Sequence, residues 1–163
     1  MGGLTPPASL TAAHALAEFD CGVPAINDWL RRRALPNETS GASRTFVVCQ
    51  DNARVVGFYA LATGSVRREE ATGGIKRKMP EPIPVMVIGR LAVDVGWRKR
   101  GVGAGLLKDA VLRILAVSKQ AGIRACFVHA LSEEAKEFYL RHGFQESLLQ
   151  PMTLMLSLAG WKL

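Results

Sequence analysis

Glycines and cations follow an apolar run near the middle of the chain. The run from Val85 to Val93 leads into Arg98-Lys-Arg-Gly-Val-Gly103, and an amphipathic segment continues to about Lys119. A strand, a glycine-rich turn and a helix in this order can hold an anionic phosphate group. The first backbone N–H groups of a helix have no partner inside it, and glycine lets the backbone approach the ligand. The residue types therefore predict an anion-binding joint.

Two nucleotide-binding motifs with similar glycines do not fit this joint. A dinucleotide fingerprint starts directly after its strand and needs an acidic residue about 20 positions later. Here several residues separate Val93 from Gly101, and the segment Gly122–Arg124 has no carboxylate. The sequence also has no Gly-x4-Gly-Lys-[Ser/Thr] phosphate loop. The spacing Arg98-x-x-Gly101-x-Gly103 instead resembles the coenzyme A pyrophosphate loop of the GNAT N-acetyltransferases.

A second motif carries the same resemblance independently. The pattern Ser132-x-x-Ala135-x-x-Phe138-Tyr139, followed by Arg141-His-Gly-Phe144, is similar to the helix and turn that close the coenzyme A site in GNAT enzymes. The resemblance implies that Ala135 lets the pantetheine arm pass and that Tyr139 is a general acid beside the thioester sulfur. A tyrosine side chain in water has a pKa of about 10, so it is protonated at neutral pH and can donate to that sulfur.

The strand before the turn offers no general base. From Met86 to Val93, the only ionisable residue is Arg90. A lysine acceptor with a pKa of about 10.4 would need deprotonation, whereas an α-amino group at about 7.7–8.0 is already partly neutral. These residues favour an α-amine as acceptor, and Asp94 or Glu134 acting through water is the alternative. His129 ends an apolar run and is predicted to be a packed residue rather than a base.

Hydrophobic patterning predicts the elements that position these residues. Strands are expected at Arg44–Gln50, Val55–Ala62, up to Val93, Arg124–Ala130 and Thr153–Leu158, the first two joined by a hairpin at Asp51–Ala53. Helices are expected before Leu35-Pro36, from 102 to 119 and from Ser132 to Arg141, with a loop or broken helix over 63–84. The predicted class is α+β, with a mixed sheet of about six to seven strands flanked by about four helices, in one domain covering 1–163.

The composition of the chain indicates where the protein is located and what kind of partner it binds. The chain has 163 residues, a net charge of +7 and no apolar run of the roughly 20 residues that a membrane span needs. Clustered Lys and Arg with a pI near 9.8 indicate a polyanionic partner. Cys49 and Cys126 are predicted to be packing residues, and Cys21 can be exposed beside Gly22. Three cysteines without metal-ligand spacing indicate reduced thiols and no metal, and we expect a cytoplasmic protein.

Over nearly its whole length the chain resembles the GNAT toxins of bacterial toxin–antitoxin systems. The matching stretches are Phe19-Asp-Cys-Gly-Val-Pro24, Trp29-Leu-Arg-Arg-Arg-Ala34, Gly41–Val47, Gly57–Val66, Pro82–Met86, Gly89–Asp94 and Val128–Lys136. The resemblance implies an acetyl-CoA-dependent enzyme that acetylates the α-amino group of aminoacyl-tRNA and blocks translation. It also implies a homodimer and neutralisation by a ribbon-helix-helix antitoxin. The alternative is a housekeeping GNAT enzyme acting on a small amine or a protein N-terminus.

The resemblance also implies roles for particular residues. Tyr139 would be the catalytic acid. The residues expected to bind acetyl-CoA are Leu91, Ala92, Val93, Arg98, Lys99, Arg100, Gly101, Val102, Gly103, Ala104, Ser132, Ala135 and Phe138. From charge alone, the candidates for contacts with the tRNA backbone are Arg31, Arg32, Arg33, Arg77, Lys78 and Arg90.

Overall fold

The computed structural model describes residues 3–51 and 53–159. Its strands are β1 (Ala8–Ser9), β2 (Arg44–Gln50), β3 (Arg54–Val66), β4 (Ile83–Val93), β5 (Ala125–His129), β6 (Gln145–Glu146) and β7 (Thr153–Ser157). Its α-helices are α1 (Pro24–Arg32), α2 (Ala34–Ser40), α3 (Gly73–Lys76), α4 (Val102–Ser118) and α5 (Glu133–Arg141). Two short 3-10 turns lie at Arg68–Glu70 and Val95–Trp97.

The seven strands form one sheet in the order β1-β2-β3-β4-β5-β7-β6. β4 and β5 run parallel, with Val85 opposite Ala125, whereas β2 with β3 and β5 with β7 run antiparallel. This mixed sheet with helices confirms the predicted α+β class. The described residues hold five α-helices against about four expected. The sequence does not locate the helix α2, and the four-residue α3 forms inside the segment predicted as a loop or broken helix.

The chain divides into two compact units. The first comprises Met1–Ala62 with Gly89–Ala110, and the second comprises Thr63–Ile88 with Val111–Leu163. Since β3, β4 and α4 each contribute residues to both units, neither unit is a continuous stretch of chain. The expectation of one domain over 1–163 stays a prediction.

Aromatic packing organises the core of the first unit. Phe19 and Phe58 are fully buried and meet edge to face at 5.5 Å, and Trp29 stacks on Phe58 at 6.1 Å. Pro24 starts α1, where its missing N–H costs no helical hydrogen bond. Leu30 of the same helix is fully buried, so the apolar face of α1 is anchored in this core.

The core of the second unit lies around β5 and β7. Ile75, Ile83, Phe127 and Met155 are all at most 4 % exposed there. Two arginines then hold the carbonyl groups of the short α3 segment. Arg68 donates to the carbonyls of Lys76 and Met79, and Arg124 donates to those of Gly74 and Ile75.

Several boundaries differ from the sequence predictions. The first helix does end before Leu35-Pro36, but a new helix begins at Ala34 and includes Pro36. Proline is tolerated there because it stands in the first turn, where its N–H has no intrahelical partner. β3 also continues to Val66, into the segment predicted as a loop or broken helix. The hairpin between β2 and β3 is present, although Asn52 at its centre lies outside the described residues.

Two predictions about single residues are corrected. His129 is exposed rather than packed, because it ends β5 on the solvent side and meets the Thr153 hydroxyl at 3.2 Å. Cys21 is 4 % exposed, with its thiol directed at the Val23 carbonyl. The packing roles of Cys49 and Cys126 are confirmed, since both are at most 1 % exposed. None of the described helices is both long and apolar enough to cross a membrane.

Candidate active site

The glycine turn after β4 has the backbone geometry that the sequence predicts. β4 ends at Val93, and the Asp94 carboxylate accepts from the Gly96 N–H at 2.8 Å to start the 3-10 turn. Lys99 and Gly101 then adopt positive φ angles of 61° and 82°. Glycine takes this left-handed conformation without the steric cost that other residues meet. The chain is thereby reversed just before α4 begins at Val102.

The start of α4 presents backbone donors that have no partner inside the helix. The Gly105 N–H donates to the Gly101 carbonyl at 3.0 Å and closes the first helical bond. The preceding N–H groups, from 102 to 104, have no acceptor within the helix. An added Cβ at Gly101 or at Gly105 would meet no atom within 4 Å, so the space beside this turn is open. These features fit a pyrophosphate group, which backbone N–H groups and the helix dipole both favour.

A glycine in β3 sets how closely α4 approaches the sheet. A Cβ on Gly57 would lie 3.0 Å from a Leu106 methyl group, 3.1 Å from a Val102 methyl group and 3.6 Å from the Ala92 carbonyl oxygen. Only a residue without a side chain leaves room for the first two turns of α4 at this distance. Gly57 therefore places the helix start beside the last residues of β4.

The three cationic side chains of the turn, Arg98, Lys99 and Arg100, have different surroundings. The Arg98 guanidinium donates to the Cys21 carbonyl at 2.5 Å, so this side chain ties the turn to the segment before α1. The Arg100 guanidinium lies 4.7 Å from the centroid of the Trp97 ring. Lys99 is exposed. The predicted role of these residues at a pyrophosphate stays a prediction, and Arg98 gains a structural role that the motif alone does not indicate.

Asp94 does not have the surroundings of a general base. It is 4 % exposed, and its two carboxylate oxygens accept from the backbone N–H groups of Asp20 and Gly96. Both oxygens are thus engaged in holding the turn. Glu134, the other candidate, is exposed in the first turn of α5.

The second motif lies in the other compact unit, on α5. Ser132 caps this helix, and its hydroxyl accepts from the Ala135 N–H at 3.1 Å, as the sequence predicts. Ala135 is half-buried on the first turn. Phe138 is also half-buried, with its ring 5.2 Å from Tyr139 and 4.6 Å from His142. The part of each residue in cofactor binding stays a prediction.

Tyr139 is held in an apolar setting. It is 5 % exposed, and its ring lies 5.4 Å from that of Phe144. Burial raises the pKa of the Tyr139 phenol above its usual range, and the nearby Cys126 thiol adds to the shift. Because burial disfavours the phenolate, Tyr139 keeps its proton throughout the neutral pH range. It therefore meets the first requirement of a general acid.

Some of the basic residues predicted to contact RNA bind other parts of the protein, and others have exposed side chains. The Arg31 guanidinium donates to the carbonyls of Phe19 and Leu16, so it helps to hold the segment before α1. The exposed candidates are Arg32, Arg33, Arg77 and Lys78. Arg90 is half-buried, and its guanidinium carbon lies 4.3 Å from the centroid of the Trp29 ring.

Trp29 is a residue that sequence patterns alone do not place at a site. Trp29 lies in a helix that the sequence predicts, but no sequence pattern indicates that its ring also contacts Arg90 of a distant strand. Within 3–51 and 53–159, no group of three or more His, Cys, Asp or Glu side chains could hold a metal ion.

Comparison with known proteins assigns the family. A family model described as an acetyltransferase (GNAT) domain matches residues 42–146. A tRNA-acetylating toxin of Mycobacterium tuberculosis (strain ATCC 25618 / H37Rv) is 46% identical over 96% of this chain and 93% of its own length. The chain belongs to the GNAT acetyltransferase family, as its two motifs predict.

Solved structures of toxins are also similar. AtaT in complex with acetyl-methionyl-tRNAfMet matches with a TM-score of 0.88 and 29% identity, covering 94% of both chains. A tyrosine-to-phenylalanine mutant of the same toxin, bound to acetyl-CoA and the C-terminus of the antitoxin AtaR, matches with a TM-score of 0.81 and 28% identity. That match covers 94% of this chain and 92% of the other.

Proposed function

We propose that this protein is an acetyl-CoA-dependent N-acetyltransferase toxin that acetylates the α-amino group of aminoacyl-tRNA and thereby blocks translation. The observation that carries the proposal is the 46% identity to a tRNA-acetylating toxin over 96% of the chain. This identity covers almost the whole chain and therefore extends far beyond the coenzyme A motif at residues 98–103.

The donor is acetyl-CoA, and two parts of the chain hold it. The backbone of Leu91, Ala92 and Val93 pairs with the pantetheine arm, and the segment Arg98–Ala104 holds the pyrophosphate. Support comes from the positive φ of Gly101, the open space beside it and the N–H groups at the start of α4 that have no partner inside the helix. On α5, Ser132, Ala135 and Phe138 complete the cofactor contacts.

Tyr139 acts as the general acid on the leaving sulfur. As the amine attacks the acetyl carbonyl, the C–S bond breaks and the sulfur takes up the phenol proton. The role requires a phenol that holds its proton when the reaction begins at neutral pH, and buried Tyr139 meets this requirement.

The acceptor is an α-amine on RNA. Both carboxylate oxygens of Asp94 accept hydrogen bonds from backbone N–H groups, so β4 and the turn after it offer no strong base. An α-amino group with a pKa of about 7.7–8.0 needs less help to lose its proton than a lysine side chain. The exposed cations Arg32, Arg33, Arg77 and Lys78 contact the tRNA backbone, with smaller shares from Arg31 and Arg90.

The protein works as a homodimer in the cytoplasm, where tRNA is charged, and the whole chain forms one domain. An antitoxin of the ribbon-helix-helix type neutralises it. The similarity to AtaT, whose mutant is bound to the C-terminus of an antitoxin, supports the antitoxin as a partner.

Acetyl transfer to charged tRNA tests the function directly. The purified protein is incubated with radiolabelled acetyl-CoA and a pool of charged tRNA, and we expect label in the RNA fraction. Because the bond is on the α-amino group, the label should leave the RNA as an N-acetyl amino acid on mild alkaline hydrolysis. Label on free amines or protein N-termini instead would favour the housekeeping alternative and contradict the proposal.

The two tyrosines of the chain provide a matched pair of variants. Tyr139→Phe removes the acid, so we expect kcat to fall by about 100-fold or more and growth arrest on induced expression to disappear. Tyr59→Phe also removes a buried phenol, one that donates to the Asp109 carboxylate, but it should keep the arrest. Equal activity of Tyr139→Phe and wild type would exclude Tyr139 as the acid.

A further inference from the structure

A small cavity lies in the first compact unit beside the Trp29–Arg90 pair. It has a volume of about 210 Å³ and is lined by nine residues from α1, α2, β3, β4 and the segment before β2. Pockets for drug-sized ligands have volumes of about 300–1,000 Å³. The cavity therefore suits one small group rather than a nucleotide. Its walls include the small residues Ala42, Ala60 and Ala62 and the polar residues Asn37 and Ser43.

One polar atom of the wall has no partner in the protein. The Ser43 hydroxyl oxygen is buried and makes no hydrogen bond with any described residue. An unsatisfied buried hydroxyl costs free energy in the folded state. An occupant is indicated by the cavity and by the cation in its wall, not by this hydroxyl.

Arg90 is the only ionisable side chain among the nine residues that line the cavity. The Trp29 ring, itself stacked on Phe58, holds the guanidinium at 4.3 Å. Burial lowers the pKa of Arg90 from its usual value, which reflects the water that the cation has lost, and arginine nevertheless stays charged. The result is a fixed cation at the cavity wall, and no carboxylate among the lining residues balances it.

The charged groups on the surrounding elements do not cancel this cation. On α2, Glu38 is paired with Arg44 of β2 at 2.9 Å. The Asp94 carboxylate, which follows β4, is engaged with two backbone N–H groups. On α1, Asp28, Arg31 and Arg32 are exposed, as is Arg33 after it.

We propose that this cavity receives the aminoacyl group of the acceptor and that the fixed Arg90 cation favours the neutral form of its α-amine, in place of a general base. The inference rests on the proposed function. Gly89 and Arg90 directly precede the segment 91–93 that is expected to hold the thioester arm, so an amine beside them would be close to the acetyl group.

Electrostatics gives the direction and size of the effect. A like charge within about 4–6 Å disfavours the charged form of an amine. The free α-amino group titrates at about 7.7–8.0, and a partly solvated cation at this distance should lower that midpoint by about one pH unit. At pH 7, the bound amine would then be about half neutral instead of about one-tenth neutral.

The transfer step is balanced without a protein base. The bound ammonium first releases a proton to water. The neutral amine then forms the N–C bond with the acetyl carbonyl, the C–S bond breaks, and the sulfur takes the proton of the Tyr139 phenol. The nitrogen loses its second proton to water, and the phenolate regains one from water. The products are the amide, the free thiol of coenzyme A and one proton from the starting ammonium.

The test is the pH profile of kcat at saturating acetyl-CoA and aminoacyl-tRNA, because kcat reports groups in the bound complex. Wild type should lose activity on the acid side with a midpoint near pH 7. Arg90→Gln should move that midpoint up by about one unit. Its kcat should therefore fall about five- to tenfold at pH 6.5–7 and recover above pH 9, whereas Arg90→Lys should keep most of the low midpoint.

Two further variants separate electrostatics from structure. Trp29→Leu leaves Arg90 in place but removes the ring that holds it, so the midpoint should move part of the way upward. Lys119→Gln removes an exposed cation that does not line the cavity, and the midpoint should not change.

The outcomes also separate this inference from the proposed function. If wild type acetylates no aminoacyl-tRNA, the proposed function itself fails. If wild type is active but Arg90→Gln lowers kcat equally at every pH, or changes only KM, then Arg90 acts as a structural or RNA-contact residue. Either result would overturn the electrostatic role while leaving tRNA acetylation intact.

Discussion

Arg98 shows how one residue of a binding motif also stabilises the fold. The motif predicts a cation at the pyrophosphate, yet the guanidinium donates to the Cys21 carbonyl at 2.5 Å. The neighbouring Asp20 carboxylate accepts from the Gly22 N–H and from the Asn27 side chain, and these bonds hold its pKa below the usual value. Arg98 and Asp20 thus both hold the segment that leads into α1.

The structural role of Arg98 leads to a testable difference between neighbouring cations. Arg98→Lys keeps the charge but replaces the planar guanidinium with a shorter ammonium side chain. The hydrogen bond to the Cys21 carbonyl should be lost, and we expect the free energy of unfolding to fall by about 1 kcal/mol. Because the positive charge beside the pyrophosphate is kept, the KM of this variant for acetyl-CoA should change by less than about twofold. Lys99→Met should do the opposite, with an unchanged Tm and a raised KM. Thermal unfolding and acetyl-CoA titrations measure both quantities, and a raised KM with normal Tm in Arg98→Lys would refute this division.

The close approach of α4 to the sheet is the main requirement at the level of elements. A Cβ on Gly57 would be 3.0 Å from Leu106 and 3.1 Å from Val102, which is closer than side chains normally pack. The Leu106 methyl group can rotate away, but Val102 is stiff at χ1 and starts the helix. The start of α4 would therefore have to move.

We predict opposite effects for two glycine-to-alanine variants. Gly57→Ala should lower the free energy of unfolding by about 1–3 kcal/mol and weaken acetyl-CoA binding, because the helix start is displaced. Gly105→Ala places a methyl group in open space on the first turn of α4 and should raise the free energy of unfolding by about 0.5–1 kcal/mol. Denaturant unfolding measures both, and an unchanged stability of Gly57→Ala would contradict the packing argument.

Elements whose signals are local could be predicted from the sequence. The signals for the helix from Ser132 to Arg141 and the apolar period of α4 each lie within one segment, and the structure confirms both helices. The two-residue strands β1 and β6 are too short to show a period, so they were not predicted. The Trp29–Arg90 contact joins residues far apart in the chain, and only the fold brings them together.

The charge of the whole molecule supports a polyanionic substrate, and a prediction about salt follows from it. With a net charge of +7, association with tRNA should weaken as counterions compete, so log KM should rise linearly with log salt concentration. Lys78 stands exposed with a positive φ of 58°, directly after Arg77. Lys78→Gln should reduce the salt slope by about one if the side chain meets a phosphate.

Lys119→Gln is the matched control, since it removes the same charge from an exposed position that is no candidate for RNA contact. Its salt slope should equal that of wild type, because counterion release depends on which cations meet phosphates and not on net charge alone. KM for aminoacyl-tRNA at four salt concentrations between about 50 and 200 mM, with saturating acetyl-CoA, gives the slopes. Equal reductions in the two variants would show that long-range charge, rather than a phosphate contact at Lys78, governs binding.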